Sequence, residues 1–279
     1  MPKNVTDKAS GKGLGNKVAL VTGAAGAIGA GICKGLLENG CRVAATDVPG
    51  EKLDAFVNDF QQTWPERIIG VGLDVTDEAS VARGFEAVTE TWGRLDIVIV
   101  NAGVPLASML EQMDVADFRR VQEVNSTGTM LTLRQAGRHF RAQNTGGDIV
   151  LISSKNVFSP GAGFGAYSAT KAAAHQLGRI ASLELADCGV RVNMVAPDAV
   201  FSEGKYKSGL WAEVGPDRMR ARGLDEKGLE EYYRNRNLLK VKVTATHVAN
   251  AVLFFVTRQT PTTGATIPVD GGLPDSTPR

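Results

Sequence analysis

Seven short runs of apolar, strand-prone residues recur along this chain: Val18–Val21, Arg42–Thr46, Ile68–Leu73, Ile97–Val100, Ile149–Ile152, Val190–Val195 and Thr266–Val269. Most are near-continuously apolar instead of alternating, as a strand covered on both faces requires. Between them, Ala27–Glu38, Glu78–Trp92, Asp117–Ala142, Ala166–Ala186 and Ala245–Val256 carry apolar residues at helical spacing. Strands alternating with helices imply βαβ units and a parallel sheet. Right-handed crossovers then predict a doubly wound α/β sheet with helices on both faces. No linker or repeat divides the chain, so one domain is expected over residues 15–279, after a polar tail at 1–14. One polar stretch, about 197–240, is too long for a plain connection and is expected to form a substrate lid.

With 43% apolar and 22% charged residues, the 279-residue chain is suited to a packed core. Thirty-one Lys and Arg against thirty Asp and Glu leave a net charge of +1, no footprint for nucleic acid or an anionic membrane. Cys33, Cys41 and Cys188 lack metal-ligand spacing and read as buried or half-buried free thiols in a reducing compartment. The three histidines stand far apart, and no metal site is expected. The N-terminal stretch lacks an apolar signal region, and no apolar run reaches the ~18 residues of a bilayer span. A cytoplasmic protein is expected.

The first strand runs directly into Thr22-Gly23-Ala24-Ala25-Gly26-Ala27-Ile28-Gly29 and a helix. Glycines here permit a tight turn, close approach to a pyrophosphate and close helix–strand packing. The helix N-terminus offers free N–H groups and the positive end of its dipole to an anion. Asp47 ends the second strand, 18 residues beyond Gly29, where a carboxylate accepts hydrogen bonds from adenosine ribose hydroxyls. It would repel a 2′-phosphate, and neither Ala25 nor Val48 carries a compensating positive charge, so NAD is favoured over NADP. The alternative is that Asp47 merely opens the turn before Pro49-Gly50. Asp74, beside Val75, is placed either to meet an adenine edge or to cap the helix starting near Thr76. Asn101-Ala102-Gly103 ends the fourth strand with small residues that let backbone pass beside a cofactor.

Tyr167 and Lys171 stand four apart on one helix face. An ammonium beside a phenol favours the phenolate and brings its pKa nearer a useful acid–base range. Ser154 follows the fifth strand and precedes Tyr167 by 13 residues, so strand end and helix start can converge on one substrate oxygen. The adjacent Ser153 leaves that assignment ambiguous by one residue.

In combination and in order, Thr22–Gly29, Asp74, Asn101-Ala102-Gly103, Asn125, Ser154, Tyr167, Lys171, Pro197 and Val269-Asp270-Gly271-Gly272 resemble the short-chain dehydrogenase/reductase family of the NAD-binding, Tyr-x-x-x-Lys type. The resemblance covers roughly residues 15–272. It implies a Rossmann-like sheet of about seven strands, commonly in a homotetramer or homodimer, with the helices Asp117–Ala142 and Ala166–Ala186 as plausible subunit contacts. It also implies that Tyr167 is the general base in alcohol oxidation and that Lys171 holds the nicotinamide ribose and lowers the Tyr167 pKa. Ser154 would bind the substrate oxygen, and Asn125 would hold a water linking Lys171 to solvent. Pro197 and Val200 would border the cofactor. Asp198 departs from the family's usual Gly after that Pro, which bears on substrate type.

The residues expected around the substrate are polar: Lys155, Asn156 and Asp198, then Ser202, Glu203, Lys205, Tyr206 and Lys207, with Trp211 available to stack on a sugar face. A steroid or long acyl chain needs an apolar pocket instead. The stretches Ser153–Asn156, Gly163–Ala169 and Pro197–Val200 also resemble the dehydrogenase half of bifunctional rhamnulose-phosphate aldolase/dehydrogenase proteins. The expected activity is NAD-dependent oxidation of a hydroxyl on a sugar, sugar derivative or polyol, with Lys155 leaving room for an anionic substrate. The alternatives are a reductase of 3-oxoacyl or other carbonyl substrates, and a protein that senses NAD without catalysis.

Overall fold

The computed structural model describes residues 13–202, 204–206 and 208–274. The expected alternation is present. In chain order come β1 (Val18–Thr22), α1 (Ala27–Glu38), β2 (Arg42–Asp47), α2 (Glu51–Gln61), β3 (Ile68–Gly72), α3 (Glu78–Trp92) and β4 (Ile97–Val100). Then follow α4 (Val115–Gln122), α5 (Gly128–Gln143), β5 (Gly147–Ile152), α6 (Gly165–Glu184) and β6 (Val190–Pro197). The chain continues through β7 (Val200–Phe201), α7 (Gly215–Arg222), α8 (Glu226–Arg236), β8 (Val243–Thr244), α9 (Ala245–Val256) and β9 (Thr266–Val269).

A seven-stranded, all-parallel sheet has the order β3-β2-β1-β4-β5-β6-β9. The Rossmann-like, single-domain α/β class read from the sequence is therefore the observed one. Central strands β1, β4 and β5 are buried along their whole length, whereas edge strands β3 and β9 are half-buried. That difference is why the central runs read as unbroken apolar segments.

Strand residues alternate between two cores. Val21, Val43, Ile99 and Val150 face α1, α2 and α9, and Leu20, Ala44, Val98 and Leu151 face α3, α5 and α6. α2 adds a helix to those expected from periodicity. Its buried Leu53, Phe56, Val57 and Phe60 form the i, i+3, i+4, i+7 stripe that signals it. Leu14, assigned to the polar tail by composition, is 2% exposed and belongs to the first core. Residues 1–12 of that tail lie outside the described residues. Cys33 and Cys41 are buried free thiols and Cys188 is a half-buried one. Burial pushes the Cys41 thiol up to about 12, which leaves it inert at neutral pH.

The segment expected as one helix over 117–142 is a continuous helical run whose middle, Glu123–Thr127, winds as a π-helix between α4 and α5. The stretch expected as a lid holds β7, a π-helical turn (Leu210–Val214), α7 and α8. It has a small core of its own, with Ala199, Phe201, Leu229 and Tyr233 packed against Trp211 and Met219. Its root is tied across the molecule to α2: Tyr206 Oη donates to Asp59 Oδ2 (2.6 Å), and Lys205 pairs with the same carboxylate. Among the described residues, no helix is long and apolar enough to cross a membrane.

Candidate active site

A cavity of about 1050 Å³ opens at the carboxyl ends of the central strands, bordered by residues of the 197–240 segment. One wall is the turn between β1 and α1. Gly23 adopts φ +64°, and a Cβ there would lie 2.8 Å from Ala102 Cα. A Cβ on Gly29 would fall 2.3 Å from the Gly23 carbonyl oxygen. Both positions are therefore restricted to glycine by the protein's own backbone. Gly26 is different: its Cβ would meet only an ordinary contact, and it starts α1 without a side-chain cap. The first turn of α1, Ala27-Ile28-Gly29, lines the cavity there. An uncapped helix start of this kind suits an anionic pyrophosphate.

Thr22 and Asn101 hold this turn to β4. Thr22 Oγ1 accepts from the N–H groups of Asn101 (3.0 Å) and Ala102 (3.1 Å). Asn101 Nδ2 donates to the carbonyls of Thr22 (2.8 Å) and Gly23 (3.0 Å). Asp47 Oδ2 accepts from the Ala25 N–H (3.0 Å), so its carboxylate is fixed against the glycine turn. Its Oδ1 accepts from Val48 N–H (2.9 Å), and Val48 is exposed. Asp74 does not cap α3. It closes a local turn by accepting from Thr76 N (2.9 Å) and Thr76 Oγ1 (2.7 Å), and Asp77 is the cap. Every residue expected to border a cofactor, from Gly23 to Val75 and on through Gly103, Pro197 and Val200, lines the cavity.

Ser154 leaves β5 and accepts from the Asn156 N–H (3.1 Å), which caps the short turn Lys155–Val157. Ser153 points away to the buried His175, Oγ to Nδ1 at 3.0 Å, so strand alternation places Ser154 alone of the pair beside Tyr167. Tyr167 occupies the first turn of α6, close enough to Ser154 for that hydroxyl to lower its pKa. Lys171 follows one turn later, buried, with Nζ donating to Ile152 O (3.0 Å) and 6.0 Å from the Tyr167 ring centre.

The electrostatics differ from the expectation that Lys171 lowers the Tyr167 pKa. Burial raises the Tyr167 pKa, the Ser154 hydrogen bond opposes that, and the Asp198 charge adds to it. Burial also pushes the Lys171 ammonium down to about 8. Desolvation is the leading influence on both groups.

Asn125 lies in the π-helical segment and is 1% exposed. Its Oδ1 accepts from Val104 N (2.8 Å), and its Nδ2 donates to Val104 O (3.0 Å) and Thr170 Oγ1 (3.1 Å). Its backbone carbonyl accepts from Thr129 Oγ1 (2.7 Å). The side chain thus clips the loop after β4 to α6. A Cβ on Gly103 would lie 3.2 Å from both Asn125 Oδ1 and Lys171 Nζ, so the bare glycine is what admits both groups.

On the substrate side, Lys155, Asn156 and Asp198 line the cavity. Lys155 Nζ donates to Ser159 O (2.9 Å), and Asn156 is buried. Asp198 is paired with Arg236, whose Nη2 donates to both its oxygens, at 2.9 and 2.7 Å. Trp211 does not stack over the cavity. Its ring packs between Phe201 (4.9 Å) and Tyr233 (5.3 Å), and its Nε1 donates to Val200 O (2.9 Å). Ser202 accepts from Ser208 N within the lid, while Glu203 and Lys207 lie outside the described residues. The structure adds Arg218, Arg222, Tyr232 and Arg236, which line the cavity from α7 and α8. The i, i+4 pair Arg218/Arg222 was the available signal, but it reads equally as a solvated helix face.

A model of short chain dehydrogenases matches residues 17–211. The oxidoreductase YuxG of Bacillus subtilis (strain 168) is 35% identical over 92% of this chain, which spans only 37% of that protein. The (−)-isopiperitenol/(−)-carveol dehydrogenase of Mentha piperita is 34% identical, over 95% of this chain and 96% of its own length. Among solved structures, sorbitol-6-phosphate 2-dehydrogenase SrlD from Erwinia amylovora superposes with a TM-score of 0.83 at 29% identity, over 91% of this chain and 98% of that one. With the glycine turn, the parallel sheet and the Ser154–Tyr167–Lys171 cluster in one crevice, these matches lead to one conclusion: the chain belongs to the short-chain dehydrogenase family.

Proposed function

We propose that this protein oxidises a hydroxyl of a sugar, sugar derivative or polyol, with NAD as acceptor. The family works with nicotinamide cofactors. The observation that carries the reading is that Ser154, Tyr167 and, one helical turn on, Lys171 all line the crevice that starts at the glycine turn. That crevice fits a dinucleotide: an uncapped helix start for the pyrophosphate, Asp47 for the adenosine ribose, bare backbone at Gly103, and the buried Lys171 amine for the second ribose. The bound nicotinamide would supply the acceptor for the hydride that leaves the carbinol carbon.

The chain's own groups handle the proton. Ser154 Oγ donates to the substrate oxygen and holds it beside the Tyr167 hydroxyl. Tyr167, as phenolate, takes the O–H proton while the carbinol becomes a carbonyl, and that proton then passes to solvent. Because burial holds the phenol protonated at neutral pH, oxidation should rise with pH and the reverse reduction should fall.

NAD is favoured because Asp47 would face a 2′-phosphate. Lys52 lines the cavity as well and is the residue through which NADP, and with it a reductive role, would gain purchase. A homodimer or homotetramer is supported by apolar side chains exposed on α4 and α6, including Phe118, Ile180 and Leu183. The test is a screen of dinucleotide reduction across sugars, sugar acids and polyols, with NAD and NADP in parallel. Turnover of polyhydroxy substrates with at least tenfold preference for NAD is expected. Turnover of hydrophobic secondary alcohols alone, or a preference for NADP, would overturn the reading.

A further inference from the structure

The half of the cavity nearest the 197–240 segment is lined by five cationic groups, Lys155, Lys205, Arg218, Arg222 and Arg236, of which Lys205 is paired with Asp59, and by two carboxylates, Asp198 and Glu213. Asp198 is committed to Arg236. Among the described residues, neither Arg218 nor Arg222 has a carboxylate partner. Arg218 instead lies over the Phe164 ring at 4.3 Å, and Arg222 lies over the Tyr232 ring at 4.7 Å. Arg236 stacks on Tyr233 at 4.7 Å, and its buried Nε has no hydrogen-bond partner. Aromatic faces thus hold the guanidinium groups in place while leaving much of their hydrogen-bonding edge free.

The cations also repel one another. Burial lowers the pKa of Lys155, which Asp198 opposes while Arg236 and Arg218 add to it; burial lowers that of Arg218, which Tyr233 opposes while Arg222 and Arg236 add to it. A cluster of this kind gains most from a small ligand with two or more anionic oxygens. It is also close to the chemistry. Phe164, under Arg218, is 6.2 Å ring centre to ring centre from Tyr167, and the Asp198 charge acts on both Tyr167 and Lys155.

From this geometry we infer that the pocket takes an anionic substrate: a polyhydroxy chain or ring bearing a phosphate, carboxylate or sulfonate a few carbons from the reacting hydroxyl, with the anion held by Arg218, Arg222 and Lys155. The inference rests on the dehydrogenase reading and narrows its substrate class. The Arg236–Asp198 pair positions the wall and keeps the carboxylate from repelling the ligand.

Anionic and neutral members of matched pairs, beginning with sorbitol 6-phosphate and sorbitol, are compared in NAD-reduction assays. The anionic member should show at least tenfold higher kcat/KM. In Arg218→Met/Arg222→Met that advantage should fall at least tenfold through KM, with KM for NAD unchanged, and Arg218→Lys should restore part of it. Equal or better turnover of the neutral members overturns the inference. So does a rise in KM for NAD in the double variant, because the arginines would then serve the dinucleotide. Calorimetric titration of inorganic phosphate into the NAD-saturated protein tests the site independently of turnover. Binding that weakens at least tenfold in the double variant supports the inference, and absent or unchanged binding overturns it. If no alcohol in the panel is oxidised while phosphate still binds through these arginines, the dehydrogenase reading fails and the anion site stands.

Discussion

The two walls of the cavity are built from different materials. On the side of β1, β2 and β4, the surface is backbone and small side chains: Gly23, Gly26, Gly29, Ala102 and Gly103, held by Thr22, Asn101 and Asp47. On the side of α7 and α8, it consists of long cationic and aromatic side chains on a segment with its own small core. The first wall sits on the central strands and has little freedom to rearrange. The second is joined to the body through the β7–β8 pairing, the Asp59 tie and the Arg236–Asp198 pair. A rigid wall suits a ligand shared by many enzymes, and a side-chain wall can be re-specified without disturbing the sheet.

Tyr167 stands on the seam between the walls, and its replacement has the largest expected effect. Tyr167→Phe should lower kcat about 10³-fold, some 4 kcal/mol, while calorimetry finds NAD affinity within about twofold of the parent. A variant that keeps full turnover would remove the acid–base assignment. Gly29→Ala strikes the backbone wall, because its Cβ would lie 2.3 Å from Gly23 O and 2.7 Å from Ala24 Cα. A stability loss of about 3 kcal/mol is expected, with NAD binding weakened more than tenfold, measured by denaturation and titration. Trp211→Ala strikes the other wall by opening the lid core between Phe201 and Tyr233. It should cost about 2 kcal/mol and raise the substrate KM while the KM for NAD stays put. If both variants moved both KM values alike, the two walls would not be independent.

The smallest expected change in stability has the opposite sign. Lys171 has a pKa of about 8 in the folded protein against an ordinary 10.5, so between those values the unfolded chain binds more protons. Stability then rises with pH from about 8 to 10.5, and the cost of the buried ammonium is fully present below pH 8. Lys171→Met should therefore stabilise the cofactor-free protein at pH 7 by about 1–2 kcal/mol, after loss of the hydrogen bond to Ile152 O, and should abolish turnover. The gain should shrink as pH climbs through 8 to 10.5 in chemical denaturation. A gain that does not vary with pH would mean that packing, not charge, is its source.

Much of the backbone wall was legible in the residue order. Gly23 and Gly29 sit in one turn, and Tyr167 and Lys171 are one helical turn apart, so local spacing carries their geometry. The choice between Ser153 and Ser154 needed the sheet, since only the placement of His175 shows which serine turns inward to the core. The π-helical turn at Asn125 left no mark in the apolar periodicity. It depends on Val104 and Thr170, which are 21 and 45 residues away. Trp211 looked like a sugar platform because the sequence does not tell that its indole N–H is taken by Val200 O.

Residue order was thus sufficient for the parallel sheet, the glycine turn and the phenol–amine pair, because each follows from φ preference, side-chain period or burial within a single element. Folding was needed to assign Asp198 to Arg236 across 38 residues, to join Asn125 to Val104 and Thr170, and to gather Lys155, Arg218, Arg222 and Arg236 around one cavity. Those outcomes are competitions among polar groups for partners distant in the chain, and only the packed arrangement decides which partner lies within hydrogen-bonding reach.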